Sequence, residues 1–253
     1  MTLTGVAEGV SRVTGGVVNW YVVVDRGKAT LVDAGAPGDW KLLLETVTSL
    51  GLSLRDIDCV LLTHAHSDHT GFAERARVEA AATVRVHAAD ERAARTGKGG
   101  KNEGGASAYL KVLLRAEAYR TLFGLMRRSG LSIVPITELT VFADGEVLDV
   151  PGRPRVLHAP GHTAGSCALH FEDRSVLCTG DSLVTHDPFT GHDGPRVMPS
   201  LANIDTAQAI RSLDHLMLAR AEVVLPGHGD PWRQGVEAAV AGARTASGAE
   251  RRL

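Results

Sequence analysis

The chain has 253 residues, of which 44% are hydrophobic and 22% charged, with a formal net charge of −2. That is an ordinary composition for a folded globular protein, with enough length to bury a core. The near-neutral charge excludes a general pull toward nucleic acid or anionic membrane, and no apolar run reaches the roughly 20 residues of a membrane span.

Short apolar runs alternate with helical stretches along the chain. The N-terminal MTLTGVAEGVSRVTGG lacks the basic start and apolar stretch of a secretory signal, so export is not expected. Asn19–Asp25 and 29–33 read as adjacent strands joined by a turn, and 39–50 as an amphipathic helix closed by Gly51. A buried strand at 59–63 precedes a helix at 71–82 and a strand at Thr83–His87. The segment 97–105 (GKGGKNEGG) holds five glycines and breaks the rhythm. It leads into 106–128, which reads as one long helix with Tyr109, Leu113, Ala116, Tyr119, Phe123 and Met126 near one face. Such a face needs cover, as a core element, as a wall over a site or as a contact with a second copy of the chain. Strands follow at 139–142, 146–150, Arg155–His158, Cys167–Phe171 and 175–179, then a helix at 206–219, a strand at 223–225 and a helix at 235–245. Two β-rich halves with helices packed outside are the expected α/β (α+β) architecture. The three scattered cysteines, Cys59, Cys167 and Cys178, read as buried thiols, and a reducing cytoplasm is the expected location.

The chemistry is concentrated in four loops. Thr63-His64-Ala65-His66-Ser67-Asp68-His69 comes directly after a buried strand, where ligand sites of α/β proteins gather. Extended backbone points His64 and His66 the same way, and a turn then lets Asp68 and His69 face a second, adjacent position. His162 lies in LHAPGHTAGS, Asp181 in VLCTGDS and His228 in VVLPGHGD, each just after a strand. Imidazole and carboxylate together suit zinc and other divalent ions.

The HxHxDH motif followed in order by PGHT, TGD and PGHG resembles the metallo-β-lactamase superfamily, from the VDAG segment at Val32–Gly35 to His228. The resemblance implies a single domain over 1–253 with a helical insertion at about 97–131, folded as a four-layer αβ/βα sandwich with metals at one edge. It implies two divalent ions, zinc first, with iron or manganese as alternatives. His64, His66 and His162 would bind one ion; Asp68, His69 and His228 the other; Asp181 would bridge them. Asp33 of the VDAG segment would orient a ligand histidine.

The reaction implied is hydrolysis by a hydroxide shared between the ions, with Asp68 as its proton relay and His192, like His186, a candidate donor toward the oxyanion. The position held by glutamate in the diiron flavoprotein branch is His66 here. No tyrosine closely follows Asp181, as it does in acyl-homoserine lactonases, and 25 residues follow His228, short of the helical region of glyoxalase II. A small ester, thioester or lactone is the expected substrate, with neither nucleic acid nor membrane as partner. The alternatives are a mononuclear iron persulfide dioxygenase on His64, His162 and Asp181, and a phosphodiesterase, nuclease or β-lactamase.

Overall fold

β-branched and aliphatic runs such as NWYVVVD place alternate side chains on opposite faces, and the fold uses both faces. The computed structural model describes residues 2–104 and 115–250. Four strands, β1 (Thr2–Ala7), β2 (Val10–Thr14), β3 (Asn19–Asp25) and β4 (Lys28–Val32), form an antiparallel meander. Three more, β5 (Ile57–Leu62), β6 (Thr83–His87) and β7 (Thr140–Phe142), continue the sheet in parallel. The crossovers carry α1 (Trp40–Ser49), α2 (Ser67–Thr70), α3 (Ala73–Glu79), α4 (Glu91–Thr96) and α5 (Ala116–Arg127). The second sheet contains β8 (Arg155–His158), β9 (Cys167–Phe171) and β10 (Val176–Gly180). A short pair, β11 (Val184–His186) and β12 (Asp193–Arg196), then precedes α6 (Thr206–Leu216), β13 (Val223–Pro226) and α7 (Gly235–Glu250). The second sheet runs in the order β13-β10-β9-β8.

The layers follow from the alternation. Val22, Leu31, Val60 and Leu62 face outward onto Leu43, Val47 and Ala73 of the first helical layer. Tyr21, Val23, Val32, Cys59 and Leu61 face inward onto Val156, Leu169, Phe171 and Cys178 of the second sheet. The far face of that sheet, with Leu157, Leu177 and Val224, is covered by Leu213 and Leu216 of α6 and Val240 of α7. The result is the four-layer αβ/βα sandwich. Each fully buried Leu, Val or Phe contributes roughly 1.5–3 kcal/mol. The apolar layer between the sheets therefore fixes their separation, and the polar cluster at its edge inherits that spacing. All three cysteines are buried and free. Among the described residues no helix is long and apolar enough to cross a membrane.

Three expectations change. The 146–150 segment is not a strand: Val147 makes one isolated bridge to Arg155, after which Pro151 and the positive φ of Gly152 and Arg153 turn the chain. The hairpin β1–β2 was not foreseen at all, because its Thr- and Gly-rich sequence has little apolar alternation. The long helix expected over 106–128 begins at Ala116, since Arg115 is extended (φ −102°, ψ 131°); 105–114 lie outside the described residues. Of the three covers expected for its apolar face the core is not used, since Tyr119, Phe123 and Met126 are 57%, 62% and 61% exposed, while Ala118 and Thr121 are buried and Thr121 and Leu125 line the cleft over the ligand cluster. Polar anchors orient this helix. Thr121 Oγ1 donates to Pro188 O at 2.5 Å, and after the helix Arg128 pairs with the buried Asp39.

Candidate metal centre

The four ligand loops leave the C-terminal ends of β5, β8, β10 and β13, so both sheets deliver them to one edge. After β5 the chain bends at Thr63 and His64, is extended at His66 (φ −81°, ψ 153°) and then turns into α2, which swings Asp68 and His69 around. Two glycines permit the approach of the loops. A Cβ at Gly180, whose φ is +49°, would lie 2.2 Å from Thr63 Oγ1, and one at Gly227 would lie 2.2 Å from Asp181 Oδ1.

His162 Nε2 lies 2.8 Å from His66 Nδ1, and His64 Nε2 lies 3.1 Å from that same atom. Asp181 Oδ2 sits 3.3 Å from His228 Nε2, 3.5 Å from His162 Nε2 and 4.0 Å from His64 Nε2, and Oδ1 sits 3.5 Å from His69 Nε2. Asp68 Oδ2 is 3.9 Å from His69 Nε2 and 3.8 Å from His228 Nε2. Three groups thus gather ligand atoms within 4.8 Å of one another: His64, His66 and His162; His64, His69 and Asp181; and Asp68, His69 and His228.

The opposite ring nitrogens are already engaged, which fixes the tautomers. His69 Nδ1–H donates to Asp33 Oδ2 at 2.9 Å. His64 Nδ1–H donates to Thr63 Oγ1 at 3.1 Å, whose hydroxyl donates to Asp33 Oδ2. His162 Nδ1–H donates to Asn203 Oδ1 and His228 Nδ1–H to Val17 O. Each Nε2 is therefore the atom turned inward, as a lone pair on His64 and His162, and on His69 and His228 as a position that a proton or a cation can take beside Asp181. His66 Nδ1 carries at most one proton, so it satisfies only one of the two lone pairs aimed at it. His69 Nε2 and Asp181 Oδ1 are buried and face each other at 3.5 Å, with no closer hydrogen-bond partner among the described residues. Buried polar atoms are rarely left so, and converging lone pairs beside a buried carboxylate suit a cation. The residues fit divalent metal.

Charge divides the cluster in two. Burial, helped by His69 and His162, holds the His64 imidazole well below its ordinary pKa, and burial pushes His162 down to about 3. Burial also opposes charge on His69, but Asp181, Asp68 and Asp33 outweigh it and raise its pKa. His228 is raised in the same way, burial being outweighed by Asp181 and Asp68.

Asp33 takes the orienting position expected of it, in a left-handed conformation (φ 63°). Asparagine tolerates that backbone, so Asp33→Asn is expected to leave the fold intact while weakening metal binding about 10- to 100-fold, as seen by competitive chelator titration. Two residues that join the loops had not been anticipated. Asp90 accepts from Ala65 N (3.0 Å), Thr163 Oγ1 (2.7 Å) and Gly165 N (2.8 Å), tying the His64–His66 loop to the His162 loop. It follows strand β6 in the same strand-then-loop pattern as the ligands, and that was its only signal. Asn203, which anchors His162, looks in sequence like an ordinary residue before a helix.

His192 does not join the site. It is exposed and absent from the described lining of the cleft over the cluster, and its Nδ1 lies 3.2 Å from Thr190 Oγ1. Asp187 ties up Phe189 N and Thr190, and that turn carries the imidazole outward. His186 is half-buried beside Asp193 (2.8 Å) and Glu117 (3.8 Å), also away from the cleft lining.

Comparison with known proteins gives the family and the fold. Residues 13–228 match the family described as the metallo-beta-lactamase superfamily. A hydroxyacylglutathione hydrolase of Cereibacter sphaeroides is 30% identical over 159 residues, which are 62% of this chain and 44% of that protein. The acyl-coenzyme A thioesterase MBLAC2 of Homo sapiens is 27% identical over 172 residues, 66% of this chain and 54% of that one. The chain thus spans about half the length of these two curated relatives. Among solved structures, a metallo-beta-lactamase family protein of Thermus thermophilus superposes with a TM-score of 0.67 at 25% identity, covering 97% of this chain and 80% of that chain.

Proposed function

The chain belongs to the metallo-beta-lactamase superfamily; from that premise we propose that it is a metal-dependent hydrolase that uses two divalent ions to cleave a small ester, thioester or lactone. The observation that carries this reading is the convergence on Asp181 of two ligand groups, one of three histidines and one of Asp68, His69 and His228. The imidazole and carboxylate set makes zinc the first candidate, with iron or manganese next. When bound, such ions act as Lewis acids toward a carbonyl and bring a water within reach of ionisation near neutral pH. His64, His66 and His162 would hold the first ion, Asp68, His69 and His228 the second, and Asp181 both.

The protein's own part is to hold these groups rigid and to move a proton. Asp68 and Asp181 both line the open cleft over the cluster, but the Asp68 side chain is the more exposed, 17% against 3%, so its carboxylate has the better access to substrate. It takes the proton of the attacking water and delivers it to the leaving oxygen or sulfur. A thioester is favoured among the candidates, since the two relatives compared above are named for an acylglutathione and an acyl-coenzyme A substrate.

The test is the metal content of protein purified without added metal, with the same sample assayed on an ester, a thioester and a lactone. About two ions per chain with turnover of any panel member is the expected result. About one iron per chain, with oxygen consumed on glutathione persulfide and no hydrolysis, would overturn the reading of the reaction.

A further inference from the structure

Two clefts share a border at His66, Ser67 and Asn102. The first, of about 200 Å³, covers Asp68, Asp181 and His228 and is walled by Leu125, Leu131, Phe189, Met198 and Leu201. The second, of about 580 Å³, runs past the glycine-rich segment 97–100 and is lined by Arg92, Lys98 and Thr163 as well as by the apolar Ile133, Val134 and Ile204. Their chemistry differs. Asp90 is the one acid among the described lining residues of the second cleft, and its oxygens are occupied by Ala65 N, Thr163 Oγ1 and Gly165 N. Arg92 and Lys98 are exposed and make no ion pair among the described residues. Their neighbour Arg95, by contrast, is paired with Glu91 at 2.9 Å. Two uncompensated cations over an uncharged backbone segment make a surface that attracts an anion.

We infer that the substrate spans both clefts, with a short apolar acyl group against Leu125 and Phe189 and an anionic leaving group, phosphate- or carboxylate-bearing, on Arg92 and Lys98. This rests on the hydrolase reading above. Size assigns the ends. The apolar cleft has room for about seven water-sized groups at about 30 Å³ each, enough for a short acyl chain, whereas the longer polar part needs the larger cleft. In the reaction the bond between the acyl carbon and the leaving sulfur or oxygen breaks. The hydroxyl of water goes to the acyl carbon, and its proton to the leaving atom.

The experiment uses one short acyl group on three thiols: pantetheine, which is uncharged, glutathione, which bears carboxylates, and coenzyme A, which bears phosphates. At low salt, kcat/KM for at least one anionic thioester is expected to exceed that for the pantetheine ester by about tenfold. The ratio should fall toward one in 0.5 M salt and in the Arg92→Ala/Lys98→Ala variant. Both side chains are exposed, so the variant should fold normally. Preference confined to coenzyme A assigns the anion as phosphate, and preference confined to glutathione assigns it as carboxylate. A wild-type ratio near one, or a ratio the double variant leaves unchanged, overturns the inference while the hydrolase reading stands. Silence on all three esters with metal loaded would sink the thioester reading instead. Calorimetric titration of the three free thiols then decides the cleft by itself: weaker anionic binding in the variant supports it, and equal binding overturns it.

Discussion

Asp181→Asn is expected to lower kcat/KM on the best panel substrate by about 10³-fold, equivalent to about 4 kcal/mol, and to leave the protein with less than its full complement of metal. The substitution keeps the shape of the side chain and removes its charge. Asp181 is the group whose two oxygens reach both halves of the cluster, Oδ1 toward His69 Nε2 at 3.5 Å and Oδ2 toward His228 and His162. Burial alone would raise its pKa, but His228 and His69 outweigh burial and hold it ionised. An uncharged amide in that position presents one oxygen in place of two and sets an N–H group against atoms that need a lone pair or a cation. Metal analysis beside steady-state kinetics reads the outcome. Full metal content and full activity in Asp181→Asn would show that the carboxylate bridges nothing.

A second large effect is expected from acid, and its direction follows from the two halves. A proton must leave an imidazole before a metal binds, so a raised pKa makes protons compete at higher pH. In the metal-free protein His69 and His228 are raised, chiefly by Asp181 and Asp68 acting against burial, and they hold protons above the usual histidine range. His64, His66 and His162 are all lowered by burial, His162 to about 3. As pH falls, competition therefore begins in the Asp68, His69 and His228 group and reaches the three-histidine group only in stronger acid. Dialysis at stepped pH, with metal counted at each step, is expected to release the ions in two stages, with activity lost in the first. Simultaneous release, or release beginning in the three-histidine group, would contradict this account of the charge. The site of first loss can be read from imidazole resonances in the NMR spectrum.

Much of the site was legible in the order of residues because its elements are local. The two-residue spacing of His64 and His66 placed them on one side in an extended reading, and they do meet although the chain bends at Thr63 and His64; the turn after His66 carries Asp68 and His69 to the other. The strands that precede His162, Asp181 and His228 announce themselves by apolar β-branched runs, and a glycine beside each ligand announces the tight turn. Helix α5 shows the limit. Its apolar residues recur at helical spacing and so suggested a buried face, yet Thr121, Arg128 and Glu117 decide which face packs, through partners in distant loops.

His162 and His192 mark the same boundary from within the site. Both are histidines directly after a glycine in loops of the second half; the apolar strand before His162 marked it as a candidate, but which way either ring turns is not set by its neighbours in sequence. His162 turns inward because Asn203, 41 residues later, takes its Nδ1–H, and His192 turns outward because Asp187 binds up the intervening loop. Asp90 likewise acquires its role only where it meets the backbone of Ala65 and Gly165, which lies 75 residues away. Sequence by itself determined which side chains stand at strand ends, because strand, turn and helix start are set by neighbours along the chain. The gathering of five histidines and two carboxylates around shared lone pairs, and the pairing of an apolar with a cationic cleft, were decided by the tertiary structure. Their spacing is fixed by the packing of two sheets across a common apolar layer, and no local stretch of sequence carries that distance.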